Sequence, residues 1–525
     1  MKYFFVVLAF VNAFVFFKNQ DLYIKTILPL SSVIFLAFYG FVSSQNKSIK
    51  IWFKNNIKIL CFMTIYFFIF LPQIFKFTIW SEEQGWINIA IDILQGTRKD
   101  ILTPKSDYPS SLASWPLALV MYVFKDPIIS SRLTGFLYLI GSFYFISGIG
   151  AIFLNIKKKP IIPAIFFGLS TSPILYVFTG WHEITYIPLL IFGTYYYLFK
   201  NINFKDKTSL IFYAIFSGIS MWSLYMPCLV ATVSSILFLI YPKFKIINLE
   251  KRINYLIYLS PLVSPFIAII FKQNMLDRHK FLLFNKGAQL ASLQNNRLIA
   301  WANSFKNFIL DTVHIDTWGN ILISFDHYGL ISLGPICTLL FIIFISYLIV
   351  KRNFNAFYFM FFPFVILITI LMFSNPNYWR EHFLYELIII MCVYEFSVIY
   401  NWLKNKENNK KLVNYFLIFI IIVHSCYFFN RYLQLLSFWP PTNFDCYSDA
   451  QNGTKIASFL RQYVKNNNCK IFYPSRGDYV YARAMLGYIN KEVLNFGGSG
   501  DINVIRLECG DNENITLDIN EILNN

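Results

Sequence analysis

Two adjacent carboxylates stand where an apolar chain rarely tolerates them. Glu82 and Glu83 directly follow an apolar run over residues 57–79, and the whole chain is 56% hydrophobic and only 14% charged. Acidic side chains beside such a run are costly in a membrane, so they usually serve a function. One such function is general-base catalysis, in which a carboxylate takes a proton from an attacking hydroxyl group. His182 and Glu183 follow a second apolar run, and the two sites can cooperate only on the same side of a bilayer.

Cationic side chains recur near the same predicted boundaries. The candidates are Lys105, Arg132 and Arg380, to which His182 and His382 add imidazole groups. Arg132 opens one predicted span and Arg380 shortly precedes another, so both would lie at headgroup depth. A leaving lipid phosphate needs such partners. The acids and cations together therefore suit a reaction between a lipid-phosphate-linked donor and a second substrate.

Each of these residues also has a structural interpretation. Glu82 and Glu83 could cap the helix that follows them, because acids stabilise a helix N-terminus. Glu183 could simply mark the boundary of a span. Arg132 and Arg380 could be anchors whose charged heads reach the interface. The positions of these side chains relative to one another decide between the two interpretations.

The composition predicts a membrane protein. With a mean hydropathy of +0.51 and 20% aromatic residues, the chain is not an ordinary soluble globule. Apolar stretches near the length of a bilayer crossing predict an α-helical polytopic protein with about thirteen transmembrane helices. The predicted spans are 3–17, 24–43, 57–75, 131–154, 161–178, 184–199, 208–226, 228–241, 253–271, 329–350, 355–373, 383–401 and 412–430.

Lysine and arginine in the short loops set the predicted orientation, because positively charged loops stay cytoplasmic. In the thirteen-span arrangement, the loops that carry Glu82, Glu183 and Arg380 fall outside. The net charge of +17 is therefore mostly topological, and we expect no nucleic-acid partner. The basic segments, all cytoplasmic in this arrangement, are 45–58, 157–159, 200–207, 243–252, 351–352 and 404–411.

The chain divides into three predicted parts. Residues 1–56 are two extra N-terminal transmembrane helices. Residues 57–430 are a transmembrane core with two long outer loops, 76–130 and 272–328. Residues 431–525 have a soluble composition and predict a small extracytoplasmic α/β domain.

Local patterns add elements to the first outer loop and to the tail. An amphipathic helix is predicted at 86–94, and an interfacial helix, too short to cross, at 115–124. The tail has a predicted helix at 453–464 and strands at 469–474 and 493–496. The tail cysteines allow one disulfide in an oxidising compartment. Its pairing stays open among Cys446, Cys469 and Cys509.

The order of several motifs resembles the opening of the GT-C membrane glycosyltransferases, above all the protein O-mannosyltransferases and the lipid A aminoarabinose transferase. In that family an acidic pair follows the first core span, a proline element and juxtamembrane helices come next, and an arginine opens the following span. His182-Glu183 resembles the acid of the family's second outer loop, and Arg380 with Tyr385 resembles its late arginine–tyrosine element. The resemblance covers about 57–430. The opening motifs are Trp80-Ser81-Glu82-Glu83, Ala90-Ile91-Asp92-Ile93-Leu94-Gln95-Gly96, Tyr108-Pro109, 115–124 and Arg132-Leu133.

The resemblance implies a polyprenyl-phosphate-linked sugar donor and transfer with inversion at the anomeric carbon. It implies Glu82 as general base, with Glu183 orienting the acceptor or sharing that role. The family's first acid is usually aspartate, so Glu83 is an alternative base. The implied donor-phosphate ligands are Arg132, Arg380 and Lys105, and the implied substrate contacts are Tyr108, His182, His382 and Tyr385.

The resemblance also implies a setting: the bacterial inner (plasma) membrane, with the active site facing the periplasm or exterior. The acceptor would be a lipid, a glycan or a protein, and membrane lipids would surround the core. No cofactor is certain. Some relatives use a divalent metal ion, so a metal stays open, although no cysteine or histidine spacing indicates a site.

Two other classes of function compete with glycosyl transfer. A transporter or lipid flippase would favour charges or breaks at mid-span and inverted repeats, whereas these charges cluster at one rim and no internal repeat is evident. A surface-polysaccharide polymerase or ligase would use arginines and a histidine in its large outer loop, and 272–328 contains Arg278, His279 and Arg297.

Overall fold

The chain folds mainly into helices in a computed structural model. The described residues are 6–11, 32–34, 36–37, 39, 49–74, 81–96, 114–170, 182–203, 207–223, 225–240, 249–272, 334–351, 357–366, 385–405, 410–438, 452–453, 455–460, 469–472, 504–509 and 513–524.

The helices follow one another along the chain. They are α1 (Ile49–Ile74), α2 (Ser81–Leu94), α3 (Ser114–Phe124), α4 (Pro127–Phe153), α5 (Ile162–Gly168), α6 (His182–Asn203), α7 (Lys207–Trp222), α8 (Tyr225–Ile240), α9 (Leu249–Lys272), α10 (Pro335–Lys351), a π-helical turn (Phe357–Phe361), α11 (Tyr385–Asn405) and α12 (Lys410–Phe438).

Four helices in the described ranges are long and apolar enough to cross a membrane. The apolar helices and the composition point to an integral membrane protein. The total of thirteen spans stays a prediction, because much of the chain between these helices lies outside the described residues. The four candidate spans are Ile51–Leu71, Pro127–Phe153, Tyr385–Asn405 and Lys411–Asn430.

Some element boundaries differ from those predicted. The first core helix begins at Ile49 rather than at 57, because the basic segment before the apolar run is itself helical. The last one continues to Phe438, beyond the predicted end of the core at 430. Its extension still carries Tyr432, Leu433 and other apolar residues that suit a helix. Within the predicted span 161–178, the described helix α5 has only 7 residues.

Helices α4 and α6 run parallel and in close contact. Tyr138 packs on Tyr186, with 5.3 Å between ring centroids. Small residues let the backbones approach: a Cβ at Gly141 would lie 2.5 Å from Leu189, and one at Gly148 would lie 2.5 Å from the Tyr196 ring. The contacts pair 138 with 186, 141 with 189 and 148 with 196, a constant difference of 48. The N-terminal ends of α4 and α6 therefore lie side by side.

Helix α1 runs antiparallel to α4 and is joined to it by aromatic rings. The Phe143 ring lies 5.3 Å from Phe62 and 5.0 Å from Tyr66, and Phe136 lies 5.4 Å from Phe67 (all between centroids). Later residues of α1 thus contact earlier residues of α4. The start of α1 is consequently near the Phe153 end of α4.

The tail contains an antiparallel sheet in the order β1-β2-β3 and a last helix. Its elements are β1 (Cys469–Phe472), β2 (Val504–Cys509), β3 (Glu513–Asp518) and α13 (Ile519–Asn524). The register sets Cys469 opposite Cys509, whereas Cys446 and the predicted strand 493–496 lie outside the described residues. β1 agrees with the predicted strand at 469–474. That the tail is a separate α/β domain stays a prediction.

Candidate active site

A buried ion pair joins the first turn of α2 to the first turns of α4. Arg132 Nε donates to Glu83 Oε1 at 3.3 Å, and Arg132 Nη2 donates to Glu83 Oε2 at 3.4 Å. The Arg132 side chain is 2% exposed and the Glu83 side chain is fully buried. A two-point contact of this kind fixes the planes of both groups as well as their separation. It links two residues 49 positions apart in the chain.

The start of α4 is held rigidly, which fixes Arg132. Asp126 caps the helix by accepting a hydrogen bond from the Ile129 amide at 2.9 Å, and Pro127 occupies its first turn. Both features favour a defined helix start. Lys125, with φ of 57°, makes the tight turn from α3, and its amide donates to the Met121 carbonyl at 2.8 Å.

Apolar packing holds helix α2 in place. Trp86, Ile87, Ala90 and Ile91 are buried on it, and it ends before Gly96, which has the positive φ of 72° typical of a helix C-terminus. The Ser114 hydroxyl donates to the Trp86 carbonyl at 3.4 Å and ties the start of α3 to α2. The predicted helices at 86–94 and 115–124 are confirmed as α2 and α3, and α2 includes Glu82 and Glu83 in its first turn.

The second predicted acid lies at the same end of the molecule as the ion pair. His182 and Glu183 begin α6. With the constant difference of 48 between α4 and α6, the backbone of Glu183 lies level with Gly135. That position is three residues, or about 4.5 Å along the helix axis, from Arg132. The side chains of Glu82, His182 and Glu183 lie outside the described residues.

Other predicted site residues are placed only in part. Tyr385 is buried at the start of α11. Lys105, Tyr108, Arg380 and His382 lie outside the described residues, as does the outer loop 272–328. Within the described part of the chain, no group of three or more acidic, cysteine or histidine residues could hold a metal ion.

The structure adds polar residues that the sequence reasoning did not single out. Asn88 and Asp92 are buried one turn apart on α2. Their spacing of four positions in an otherwise apolar helix could have indicated from the sequence that they share a face. The buried Tyr186 hydroxyl has no hydrogen-bond partner among the described residues. Tyr186 follows Glu183 by three residues, about one turn, on α6. It therefore adds a polar group near the same end of the helix. No sequence pattern distinguished it from the other aromatic residues of the chain.

The ion pair gives one of the two adjacent acids a defined partner. Both Glu83 oxygens accept from the Arg132 guanidinium, so the charges of these two side chains balance each other. The same contact gives Arg132 a use other than the predicted grip on phosphate. The Glu83 member of this fixed ion pair directly follows Glu82 in the chain.

The fold was compared with those of known proteins. It matches the crystal structure of ArnT from Cupriavidus metallidurans bound to undecaprenyl phosphate, with a TM-score of 0.50 and 10% sequence identity over 85% of this chain and 86% of that chain. ArnT is the lipid A aminoarabinose transferase, a GT-C enzyme. No protein-family model and no curated protein matches the sequence. The predicted resemblance is thus confirmed as a likeness of fold to ArnT.

Proposed function

We propose that this chain with an ArnT-like fold is an inverting glycosyltransferase. It would move a sugar from a polyprenyl-phosphate-linked donor to a lipid, glycan or protein acceptor. The observation that carries the proposal is the buried Glu83–Arg132 pair at the same end of α4 and α6 as His182 and Glu183. The undecaprenyl phosphate bound to the ArnT neighbour supports the class of donor.

In this mechanism Glu82 is the general base. Its neighbour Glu83 is held by Arg132, which supports assigning to Glu82 the role of accepting a proton from the acceptor hydroxyl. The oxygen of that hydroxyl then attacks the anomeric carbon, and the bond from that carbon to the phosphate oxygen breaks. Attack from the face opposite the phosphate inverts the anomeric centre. Glu183 orients the acceptor or shares the proton.

The leaving phosphate gains charge and needs cations to stabilise it. Arg380 and Lys105 are proposed for this role, together with Arg132 if the donor phosphate shares its guanidinium with Glu83. Tyr108, His182, His382 and Tyr385 are the proposed substrate contacts. The reaction would take place on the outer face of a bacterial plasma membrane, as the basic loops on the opposite face imply.

The proposed base is tested by three matched amide variants of the full chain in nanodiscs. Glu82→Gln, Glu83→Gln and Glu183→Gln are assayed with synthetic undecaprenyl-phosphate-linked sugars, including mannose and aminoarabinose. The measured product is sugar transferred from the donor with release of undecaprenyl phosphate. Glu82→Gln is expected to lower transfer by about a hundredfold or more, because the amide cannot take the proton.

The exposed tail residue Glu521 supplies the control, since Glu521→Gln removes a carboxylate that has no role in the proposed chemistry. It should transfer like the unmodified chain. Full activity in Glu82→Gln with loss in Glu83→Gln would move the base to Glu83. Full activity in all three variants would refute the proposed mechanism, and movement of the lipid across the bilayer without transfer would favour a flippase.

A further inference from the structure

A second buried cation lies at the Phe153 end of α4, in the connection between α4 and α5. Lys159 is 7% exposed. Its Nζ lies 2.7 Å from the centroid of the Tyr144 ring and 5.2 Å from that of Tyr196, and it donates to the Tyr144 carbonyl at 3.1 Å. The ring faces attract the charged ammonium. Burial, together with nearby Lys200, lowers the pKa of Lys159 well below its usual value.

The backbone of the same residue fastens the connection to α1. The Lys159 amide donates to the Asn55 carbonyl at 3.0 Å. Nearby, Trp52 Nε1 donates to the Tyr144 hydroxyl at 3.3 Å, so both Lys159 and α1 meet the same tyrosine. These contacts bring two basic segments together that are about a hundred positions apart in the chain. They also turn the Lys159 side chain inward, away from its two preceding lysines.

The result is an exposed basic surface, which we call the inner lysine cluster. It comprises Lys54 and Lys58 on α1 and Lys157 and Lys158 in the connection, all four exposed. Within the described part of the chain, no carboxylate pairs with any of them. Like charges gathered without a counter-charge repel one another, so a site of this composition is stabilised by an anionic ligand.

Apolar side chains beside the cluster locate it at a membrane surface. Trp52 is 40% exposed and Phe53 is 52% exposed on the first turns of α1. Tryptophan is enriched at the headgroup level of a bilayer, and lysine side chains reach from that level to the phosphates. A membrane surface of anionic lipid presents phosphate next to hydrocarbon. The lysines of the cluster complement the phosphate, and Trp52 and Phe53 complement the hydrocarbon.

We propose that the inner lysine cluster binds an anionic phospholipid of the leaflet at the Phe153 end of α4. The lysines hold the headgroup phosphate, while Trp52 and Phe53 contact the upper part of the acyl chains. In the predicted orientation this is the cytoplasmic leaflet, where anionic lipids attract basic residues near the surface. The proposal does not depend on the glycosyltransferase assignment.

The test titrates the purified full chain with phosphatidylglycerol and, separately, with phosphatidylcholine, and counts retained lipids by native mass spectrometry. The site variant is Lys157→Gln/Lys158→Gln. Its matched control is Lys404→Gln/Lys411→Gln, which removes two exposed lysines elsewhere. The site variant should bind phosphatidylglycerol about tenfold or more weakly than the unmodified chain, and the control should bind within about twofold.

Two results would overturn the proposal. Equal weakening in the site and control variants would mean that only the total charge attracts the lipid. Equal retention of phosphatidylcholine and phosphatidylglycerol by the unmodified chain would mean that the cluster does not recognise the anionic headgroup. A melting temperature within a few degrees of the unmodified chain, recorded for both variants, shows that a loss of lipid reflects the binding surface and not unfolding.

Discussion

The two ends of α4 each bury a basic side chain, but they surround it with different groups. At the Pro127 end, Arg132 donates to both oxygens of the buried Glu83 carboxylate. At the Phe153 end, Lys159 has the ring faces of Tyr144 and Tyr196 and a carbonyl oxygen around it. The first side chain has a full counter-charge, whereas the second has only partial charges beside it.

This difference matches the uses that we infer for the two ends. A two-point ion pair holds its groups in one geometry, which a reaction site needs. At the other end, the lysine mainly fastens a backbone segment, and its exposed neighbours are left to meet the membrane surface. The same helix thus has a chemically organised end and an anchoring end.

The largest effect is expected from breaking the ion pair on one side only. Glu83→Ala leaves the Arg132 charge buried without the Glu83 carboxylate, which costs about 3–5 kcal/mol in the free energy of unfolding. The double variant Glu83→Ala/Arg132→Met removes both charges and should recover much of that loss. Thermal unfolding in detergent measures all three chains. Equal losses in the single and double variants would mean that the pair is not what stabilises this end.

A smaller effect is expected when Arg132 is replaced by lysine. Arg132→Lys keeps the charge but loses the planar fork that engages both Glu83 oxygens. Sugar transfer should fall by about tenfold or more, equivalent to about 1.4 kcal/mol in the activation barrier. Arg252→Lys is the control, because Arg252 lies outside the candidate site, where its Nη1 donates to the Leu239 carbonyl at 2.7 Å. Unchanged transfer in Arg132→Lys would reduce Arg132 to an anchor.

A third prediction concerns the Phe153 end and depends on pH. Burial lowers the pKa of Lys159, so above that lowered value the unfolded chain binds a proton that the folded chain does not. Stability should therefore rise with pH toward the ordinary lysine pKa of 10.5, by at most about 1.4 kcal/mol per pH unit. Lys159→Met removes this contribution. The melting temperature of the unmodified chain, relative to Lys159→Met, should increase from pH 7 to pH 9.5.

A constant difference between those two melting temperatures across the pH range would contradict the expectation. It would mean that Lys159 is charged in the folded chain and that the tyrosine rings compensate for burial.

The sequence predicted the local elements of the site well. The helices α2 and α3 and the arginine near the start of α4 follow from hydrophobic periodicity, a glycine stop and proline near a helix start. The common sidedness of Glu83, Arg132 and Glu183 was predicted from loop charges, and the parallel contact of α4 with α6 places them at one end. Hydrophobic periodicity and loop charge are patterns of residues close together in the chain, so they can be recognised from the sequence alone.

Contacts between distant segments could not be read in this way. No spacing indicates that Glu83 meets Arg132, because this contact depends on how α2 rotates against α4. The burial of Lys159 was equally hidden, since the sequence shows three consecutive lysines and only folding turns the third inward. The end of α12 at Phe438 shows a further limit: a change to polar composition does not by itself stop a helix.

The proposed function puts the lipid phosphate of the donor at the Pro127 end of α4 and not at its Phe153 end. Electron cryomicroscopy of the full chain in nanodiscs with undecaprenyl phosphate would reveal this position. We expect phosphate density beside the first turns of α2 and α6, within hydrogen-bonding distance of a cationic side chain such as Arg132 or Arg380. Phosphate density found solely beside Lys157 and Lys158, with none near the start of α2, would contradict it.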